Sequence, residues 1–357
     1  MNSSRFAHHM LREIREEPRV VEATLKQSRK SVARIAEEVK SKDYSLVYIT
    51  GSGTSYHAGL ACQYVMLHFG TTLTSLIPAS EFPFWVPSTI DRKALLMAIS
   101  QSGESVDALK AADTALDRGM DLLAVTNTKG STLAGKAQYT LLTRAGKELA
   151  VTATKSFVAQ LTILYLLSLE LTQRTGKSGD LPVLRQRLSE TPRLILKVLE
   201  SCNDTMLRLA EEHKDKSLFF SLGSGPNYAT ALETALKLKE ACNIFAEGFA
   251  SREFLHGPIQ LINEKTPVVS IMSSDEVEDL ASLLTSVRRF NAPVISVSDD
   301  EEELRDISSE TIRVPKSLPT IFSPILYIVP LQLFAYYSSV SRGLNTDKPE
   351  KLTKVVK

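Results

Sequence analysis

The chain has 357 residues, 43% of them apolar and 23% charged, which suits a globular protein with enough apolar material for two domains of ordinary size. Its 42 basic and 41 acidic side chains leave a formal net charge of +1, which gives no electrostatic reason to expect nucleic acid or an anionic membrane as a partner. Three cysteines without a C-x-x-C spacing exclude a disulfide framework and a zinc ribbon, so a reducing, cytoplasmic location is expected.

Neither a secretory signal nor a membrane span is expected. The first 20 residues are charged and lack the apolar stretch of a signal peptide. The two most apolar stretches, 161–171 and 325–337, are shorter than the roughly 20 residues that a membrane span needs. Pro330 also interrupts the second stretch. These features predict a soluble protein.

Apolar runs of strand length alternate with helical patterns in the first half of the chain. The runs show no period-two alternation, which is typical of parallel strands that are covered on both faces. This order predicts βαβ units and an open parallel sheet. The predicted strands are 45–50, 94–100, 121–127 and 139–144, and the helices between them include 56–69 and 105–118.

The same order recurs in the second half, with predicted strands at 218–223, 267–273, 293–298 and 311–315. G-S-G-T begins at Gly51 and G-S-G-P begins at Gly223. From this glycine to the final serine of the next strand is 49 residues in the first half and 47 to 50 in the second. The agreement predicts two copies of one α/β domain.

A helix predicted at about 154–174 separates the two halves. It is apolar on nearly every face, so it must be buried on all sides, either as a central core helix or at the interface of a homodimer. A polar turn at 175–180 and a bridging helix at 182–199 follow. The predicted segments are an N-terminal helical segment 1–34, a first domain 35–175, a linker 176–204, a second domain 205–340 and a C-terminal tail 341–357.

The segment G-S-G-T-S at 51–55 follows a strand and opens a helix, where free backbone amides favour an anion. It is not a dinucleotide fingerprint, because the third glycine position is occupied by Tyr56, and it lacks the Gly-Lys-Ser/Thr ending of a Walker A loop. A simple strand-to-helix connection explains this turn equally well.

The segment S-Q-S-G-E-S at 100–105 is more specific. It lies at the carboxyl end of a predicted strand, where open α/β sheets bind ligands. Three hydroxyls, an amide and Gly103 at a helix start can surround a phosphate without a cationic side chain. The alternative is a capped helix start, with Ser102 or Ser105 as the cap. One cap needs only one hydroxyl, so the pattern favours the anion site.

Candidate proton-transfer groups lie in the second half. Glu233, Lys237 and Glu240 share one helix face, either as an exposed ion-pair stripe or, amid leucines, as a tuned acid or base. His256 lies in a predicted loop and is suited to proton transfer, although a lone histidine is more often a surface residue. The six histidines show no metal-ligand spacing, so neither a metal nor a cofactor is predicted. By position alone, Lys354 is a disordered tail lysine.

Six motifs in this order resemble the sugar isomerase (SIS) family from about residue 20 onwards. They are most similar to the isomerase half of glutamine–fructose-6-phosphate aminotransferases and to stand-alone glucosamine-6-phosphate deaminases. The resemblance implies two tandem SIS domains, each a flavodoxin-like five-stranded parallel sheet flanked by helices, in a dimer with active sites between subunits. The motifs are G-S-G-T-S, S-Q-S-G-E-S, A-V-T-A-T-K-S-F (150–157), A-L-K-L-K-E (235–240), L-H-G-P (255–258) and D-K-P-E-K-L-T-K-V (347–355).

The resemblance also implies site residues. Glu240 would move the proton between C1 and C2 of the sugar, with Lys237 beside it. His256, from the neighbouring subunit, would open the ring. Lys354, on a tail that closes the site, would form a Schiff base with a ketose. The implied phosphate contacts are Ser100, Gln101, Ser102 and Ser105, and the implied sugar contacts are Ser52, Gly53, Thr54, Ser55, Val151, Thr152 and Ala153.

Some positions depart from the family pattern. Ala153 replaces the serine that meets the sugar, so that contact is lost or moves to Thr152. Lys354-Val355 and the loop E-F-L-H-G-P are closer to the deaminases than to the aminotransferases. No cysteine follows Met1 and there is no room for a glutaminase domain, so the chain is expected not to release ammonia from glutamine.

The leading expectation is an aminosugar-phosphate deaminase that converts glucosamine 6-phosphate to fructose 6-phosphate and ammonia. One alternative is the reverse synthesis with ammonia from a separate glutaminase, or deglycation of a fructosamine phosphate. A second alternative is a non-catalytic phosphosugar sensor. The second domain is expected to lack a phosphate site of its own, because its corresponding segment 270–274 contains no glycine.

Overall fold

The computed structural model describes residues 7–70, 72–89, 93–175 and 180–356. The chain divides into two compact units. The first unit comprises Arg19–Glu148, Lys155–Ser189 and Lys354–Lys357. The second unit comprises Met1–Pro18, Leu149–Thr154 and Glu190–Thr353, so both chain termini contribute to a unit that is otherwise distant in sequence. The domain boundaries expected from the sequence stay predictions.

The first unit contains a five-stranded parallel sheet in the order β2-β1-β3-β4-β5. This is the flavodoxin-like order that places ligands at the carboxyl edge beside β1 and β3. Four strands were predicted and lie within a residue or two of their expected bounds. The strands are β1 (Leu46–Gly51), β2 (Leu73–Pro78), β3 (Ala94–Ile99), β4 (Asp121–Thr126) and β5 (Tyr139–Leu142).

Helices flank this sheet and complete the unit. The two predicted helices correspond to α3 and α5, and the helix predicted at 154–174 corresponds to α7. The bridging helix predicted at 182–199 is longer than expected and runs through Pro192. The helices are α2 (Glu17–Lys42), α3 (Thr54–Phe69), α4 (Phe82–Trp85), α5 (Val106–Asp117), α6 (Thr132–Lys136), α7 (Lys155–Thr175) and α8 (Leu181–Glu212), the last shared with the second unit.

The second unit repeats the architecture. Its sheet is parallel in the order β7-β6-β8-β9-β10, which is the same order as in the first unit, so the predicted repeat and the fold class are confirmed. Its strands are β6 (Leu218–Gly223), β7 (Phe245–Ala250), β8 (Val268–Met272), β9 (Val294–Ser298) and β10 (Glu310–Arg313). Its helices are α1 (His9–Arg15), α9 (Asn227–Cys242), α10 (Val277–Arg288) and α11 (Pro324–Ser341).

Helices α7 and α11 are the apolar centres of the two units. The described side chains of α7 are almost all buried, as its sequence predicts, and the helix packs against α3 within its own unit. Helix α11 packs against α9 and contains Pro330 within its length. Among the described residues, no helix is long and apolar enough to cross a membrane.

The repeated glycine explains why each G-S-G turn follows its strand so tightly. A Cβ atom at Gly51 would lie 2.9 Å from the backbone carbon of Ser55 in α3. A Cβ atom at Gly223 would lie 2.1 Å from the carbonyl oxygen of Asn227 in α9. Any larger residue would push the helix away from the strand, so both copies require glycine at this point.

Candidate active site

The loop 100–105 joins β3 to α5 at the carboxyl edge of the first sheet. Gly103 has a φ of +68°, and a Cβ there would lie 2.2 Å from the hydroxyl of Ser131. The hydroxyl of Ser100 accepts a hydrogen bond from Gly103 N at 3.1 Å, which fixes the bend. Ser105 is the N-cap residue of α5, but its side chain makes no cap hydrogen bond. Ser105 therefore does not cap the helix through its side chain, whereas the Ser102 hydroxyl accepts a hydrogen bond from Glu104 N at 3.1 Å. The anion site in this loop stays a prediction.

The turn 51–55 ends the neighbouring strand at the same edge. Strands β1 and β3 pair directly, so the turn and the 100–105 loop follow adjacent strands. Gly53 adopts a positive φ of 53° immediately before Thr54 opens α3. The buried hydroxyl of Ser55 accepts a hydrogen bond from Gln160 Nε2 of α7 at 2.9 Å, so the turn is fixed to the core helix. Its proposed sugar contacts stay predictions.

Lys354 is not a disordered tail lysine, so that expectation is wrong. Its ammonium lies 2.6 Å from Glu148 Oε2 in the first unit, and the Glu148 side chain has no exposed surface. Glu148 also accepts hydrogen bonds from Ser156 N at 3.0 Å and Ser156 Oγ at 2.7 Å. A carboxylate that is removed from water in this way needs its cation, so the pair fixes the position of the tail.

The tail also reaches the start of α5. The carbonyl of Val356 accepts a hydrogen bond from Val106 N at 3.4 Å, directly after Ser105. The tail segment around Lys354 therefore lies beside the 100–105 loop in the same unit. Glu148 was not among the residues predicted from the sequence, although it lies just before the motif A-V-T-A-T-K. Its importance depends on its ion pair with Lys354, which is 206 residues away and cannot be read from the local sequence.

Lys237 on α9 lies between two carboxylates in the second unit. Its ammonium is 2.6 Å from Glu240 Oε2 and 3.2 Å from Glu233 Oε1. The side chains of Lys237 and Glu233 are fully buried, whereas that of Glu240 is 23% exposed. An exposed ion-pair stripe is therefore the wrong interpretation of this spacing. Glu240 is the one carboxylate of the three-residue group that a substrate can reach.

The charge state of Lys237 follows from its neighbours. Burial by itself lowers the pKa of this lysine, but the charges of Glu233 and Glu240 outweigh burial and raise its pKa above the ordinary value. Lys237 therefore stays protonated at neutral pH. A fixed cation beside a partly exposed carboxylate can stabilise negative charge that develops on an adjacent oxygen.

The remaining candidate residues also belong to the second unit. His256 follows a short 3₁₀ helix (Ser251–Leu255) and is exposed, which leaves its ring accessible. Val151 and Ala153 are half-buried, whereas Thr152 is fully buried. The buried hydroxyl of Thr152 makes no hydrogen bond within the described residues. Whether it replaces the missing serine contact at Ala153 stays a prediction.

The second sheet has its own loop in the position of 100–105. There the Glu276 carboxylate accepts hydrogen bonds from Ser273 N at 2.9 Å and from Ser273 Oγ at 3.0 Å. Ser274 N donates to Asp299 Oδ1 at 2.6 Å. Burial raises the pKa of Glu276, partly opposed by the hydrogen bonds from Ser273. Carboxylates of the chain thus occupy donors that a phosphate would need. The expected lack of a second phosphate site stays a prediction.

A cavity of about 160 Å³ with a mixed polar and apolar lining lies elsewhere in the first unit. It is at the amino ends of the strands, away from the 100–105 loop, and is lined by side chains that include Val47, Leu95, Leu123 and Leu167. It brings none of the candidate residues together. Among the described residues, no group of three or more His, Cys, Asp or Glu side chains could hold a metal ion.

The two sheets coincide with two matches to a known family. The model of the SIS domain matches residues 43–169 and 213–342, which together are more than half of the chain. This chain belongs to the SIS-domain family. The SIS resemblance of the six motifs and the tandem SIS fold are thereby confirmed.

Curated relatives of this SIS chain are longer than it is. The glutamine–fructose-6-phosphate aminotransferase of Thermococcus kodakarensis is 39% identical over 354 residues, which are 98% of this chain and 58% of the relative. The chain therefore spans little more than half the length of that relative.

Solved structures share the tandem SIS fold. The C-terminal domain of glucosamine-fructose-6-phosphate aminotransferase from Francisella tularensis has a TM-score of 0.89 and 27% identity, covering 98% of this chain and 99% of that one. A glucosamine-6-phosphate deaminase from Thermotoga maritima has a TM-score of 0.77 and 24% identity, with the same coverage. At that identity the second likeness supports the fold alone.

Proposed function

We propose that this chain is the isomerase of an aminosugar-phosphate reaction, forming glucosamine 6-phosphate and water from fructose 6-phosphate and ammonia. The observation that carries the proposal is the partly exposed carboxylate of Glu240 held beside the buried, protonated Lys237. The sequence alone favoured the opposite, deaminating direction. The relatives named as aminotransferases favour the synthetic alternative instead.

In the proposed reaction, the phosphate of the sugar binds to the 100–105 loop. Hydroxyls of Ser100, Ser102 and Ser105, the Gln101 amide and the start of α5 supply neutral donors to the dianion. Binding the phosphate fixes the distance to C1 and C2, which turns the later proton transfer into an intramolecular event. The turn 52–55 follows the adjacent strand and would contact the sugar beside its phosphate.

At the other end of the sugar, His256 from a neighbouring subunit opens the ring. Lys354 attacks the C2 carbonyl and expels water to form an imine, with Glu148 as the acceptor for the lysine proton. Ammonia then displaces the lysine. Glu240 removes a proton from C1 and returns it to C2, while Lys237 stabilises the charge on the adjacent oxygen.

A second candidate is the deaminase. The Lys354-Val355 tail and the E-F-L-H-G-P loop favour it, because both were closer to that group of the family. The same groups would act in reverse: Glu240 moves the proton from C2 to C1, and water releases ammonia. We also propose that the chain forms a homodimer in the cytoplasm. In the synthetic direction, a separate protein would supply the ammonia.

The test is to assay both directions with the purified chain. Glucosamine 6-phosphate formation is measured with fructose 6-phosphate and an ammonium salt, and ammonia release is measured with glucosamine 6-phosphate. Formation at a rate above release supports the synthetic proposal, and the reverse ranking supports the deaminase. Glu240→Gln should lower either rate by at least about a hundredfold, since it removes the base, yet leave inorganic phosphate binding unchanged.

Glu264→Gln is the matched control, because this glutamate is an exposed carboxylate of the same unit. It should leave both rates unchanged. A folded wild-type chain that binds phosphosugars but turns over neither substrate would contradict both enzymatic proposals and favour the sensor.

A further inference from the structure

Glu13 is a buried carboxylate that none of the six motifs contains. It lies on α1 and is 3% exposed. Its two oxygens accept hydrogen bonds from consecutive backbone amides: Oε1 from Leu149 N, and Oε2 from Ala150 N at 3.2 Å. These two amides directly precede the proposed sugar contacts at 151–153. All of these residues belong to the second unit.

Asp347 extends the same arrangement. Its carbonyl oxygen accepts a hydrogen bond from Val151 N at 2.9 Å. Its carboxylate accepts one from Met10 N of α1, also at 2.9 Å. Three consecutive amides, 149 to 151, are therefore held by the N-terminal helix and the C-terminal tail. Hydrogen bonds from amides to an ionised carboxylate are stronger than neutral ones, so Glu13 is the main fixed point.

We propose that Glu13 is a positioning residue that sets the backbone of 151–153 for the sugar. In this role Glu13 acts on the sugar through the hydrogen bonds that it accepts from the amides of Leu149 and Ala150. This inference rests on the proposed function, because it assumes that 151–153 contact the sugar. The 100–105 loop belongs to the other unit, so phosphate binding is expected not to depend on Glu13.

Calorimetric titration of Glu13→Gln with fructose 6-phosphate and with inorganic phosphate tests the proposal. A glutamine oxygen can accept from one amide, but its NH₂ group faces the other N–H, so one hydrogen bond is lost. The expected result is about tenfold weaker binding of fructose 6-phosphate, since an unpaired buried amide costs about that factor. Inorganic phosphate should bind as in the wild type. Glu22→Gln, on an exposed ion pair with Lys26, is the matched control.

Glu13→Asp covers the case in which the glutamine variant does not fold. It keeps the charge, so an intermediate loss of fructose 6-phosphate affinity with faster hydrogen exchange at amides 149–151 supports positioning. Equal weakening of both ligands, or unchanged fructose 6-phosphate affinity in a folded variant, overturns the inference. If the proposed function itself is wrong, the wild-type chain will not bind fructose 6-phosphate. That result would also rule out the positioning role of Glu13.

Discussion

Lys237 is the residue on which the electrostatics of the second unit depend. Replacement by methionine leaves the fully buried Glu233 without its cation, and breaking a buried ion pair in this way costs about 3–5 kcal/mol. Lys237→Met should therefore lower the free energy of unfolding by that amount, measured by urea denaturation.

The neighbouring Lys239 provides the matched control for this prediction. It is exposed on the same helix, so Lys239→Met should change the free energy of unfolding by less than about 0.5 kcal/mol. Adding Glu233→Gln to Lys237→Met should restore part of the lost stability, because no unpaired charge then remains buried. Equal stabilities of the two single variants would show that the buried pair is not the source of the effect.

At the scale of elements, two loops occupy equivalent positions in the two sheets, and we expect only one of them to bind phosphate. The 100–105 loop presents hydroxyls, whereas the loop before α10 is occupied by Glu276 and Asp299 of the chain itself. Titration with inorganic phosphate should therefore give one site per chain. Ser102→Ala should weaken that site about tenfold, because it removes a hydroxyl that can donate to the charged ligand.

Ser274→Ala is the matched control, since Ser274 lies in the corresponding loop of the second sheet and donates its amide to Asp299. This variant should bind phosphate as the wild type does. Two phosphate sites per chain, or weaker binding in Ser274→Ala, would mean that the second loop also accepts an anion.

The elements also show which parts of the fold can be predicted from sequence. Eight strands are evident as apolar runs, but β2 and β7 were missed. Both are edge strands with partly exposed side chains, and β7 contains Glu247 and Gly248, so neither gives a continuous apolar run. Their existence follows from the sheet order rather than from their own composition.

The same division holds for the candidate site. The 51–55 and 100–105 segments are local strand-to-helix connections, so their residues stand together in the sequence and can be predicted. Glu13 and Glu148 could not be predicted, because their partners lie 136 and 206 residues away. The structural role of such a buried acid becomes evident only when the groups that donate hydrogen bonds to it are known. For Glu13 these are two backbone amides, and for Glu148 they include the ammonium of Lys354.

At the scale of the whole molecule, the proposal makes His256 and Glu240 act in different subunits of a dimer. Both residues occur in every chain, so each active site would use Glu240 of one subunit and His256 of the other. Glu240→Gln and His256→Asn should each be inactive alone. A dimer of one chain of each kind has one site that lacks both groups and one site that is intact.

Coexpression of the two variants tests this directly. Random pairing makes half of the dimers mixed, and each mixed dimer has one intact site of two, so about a quarter of wild-type activity should return. Each variant expressed alone under the same conditions is the control. If His256 instead acts within its own chain, every mixed dimer has two defective sites, and coexpression restores no activity although the dimers form.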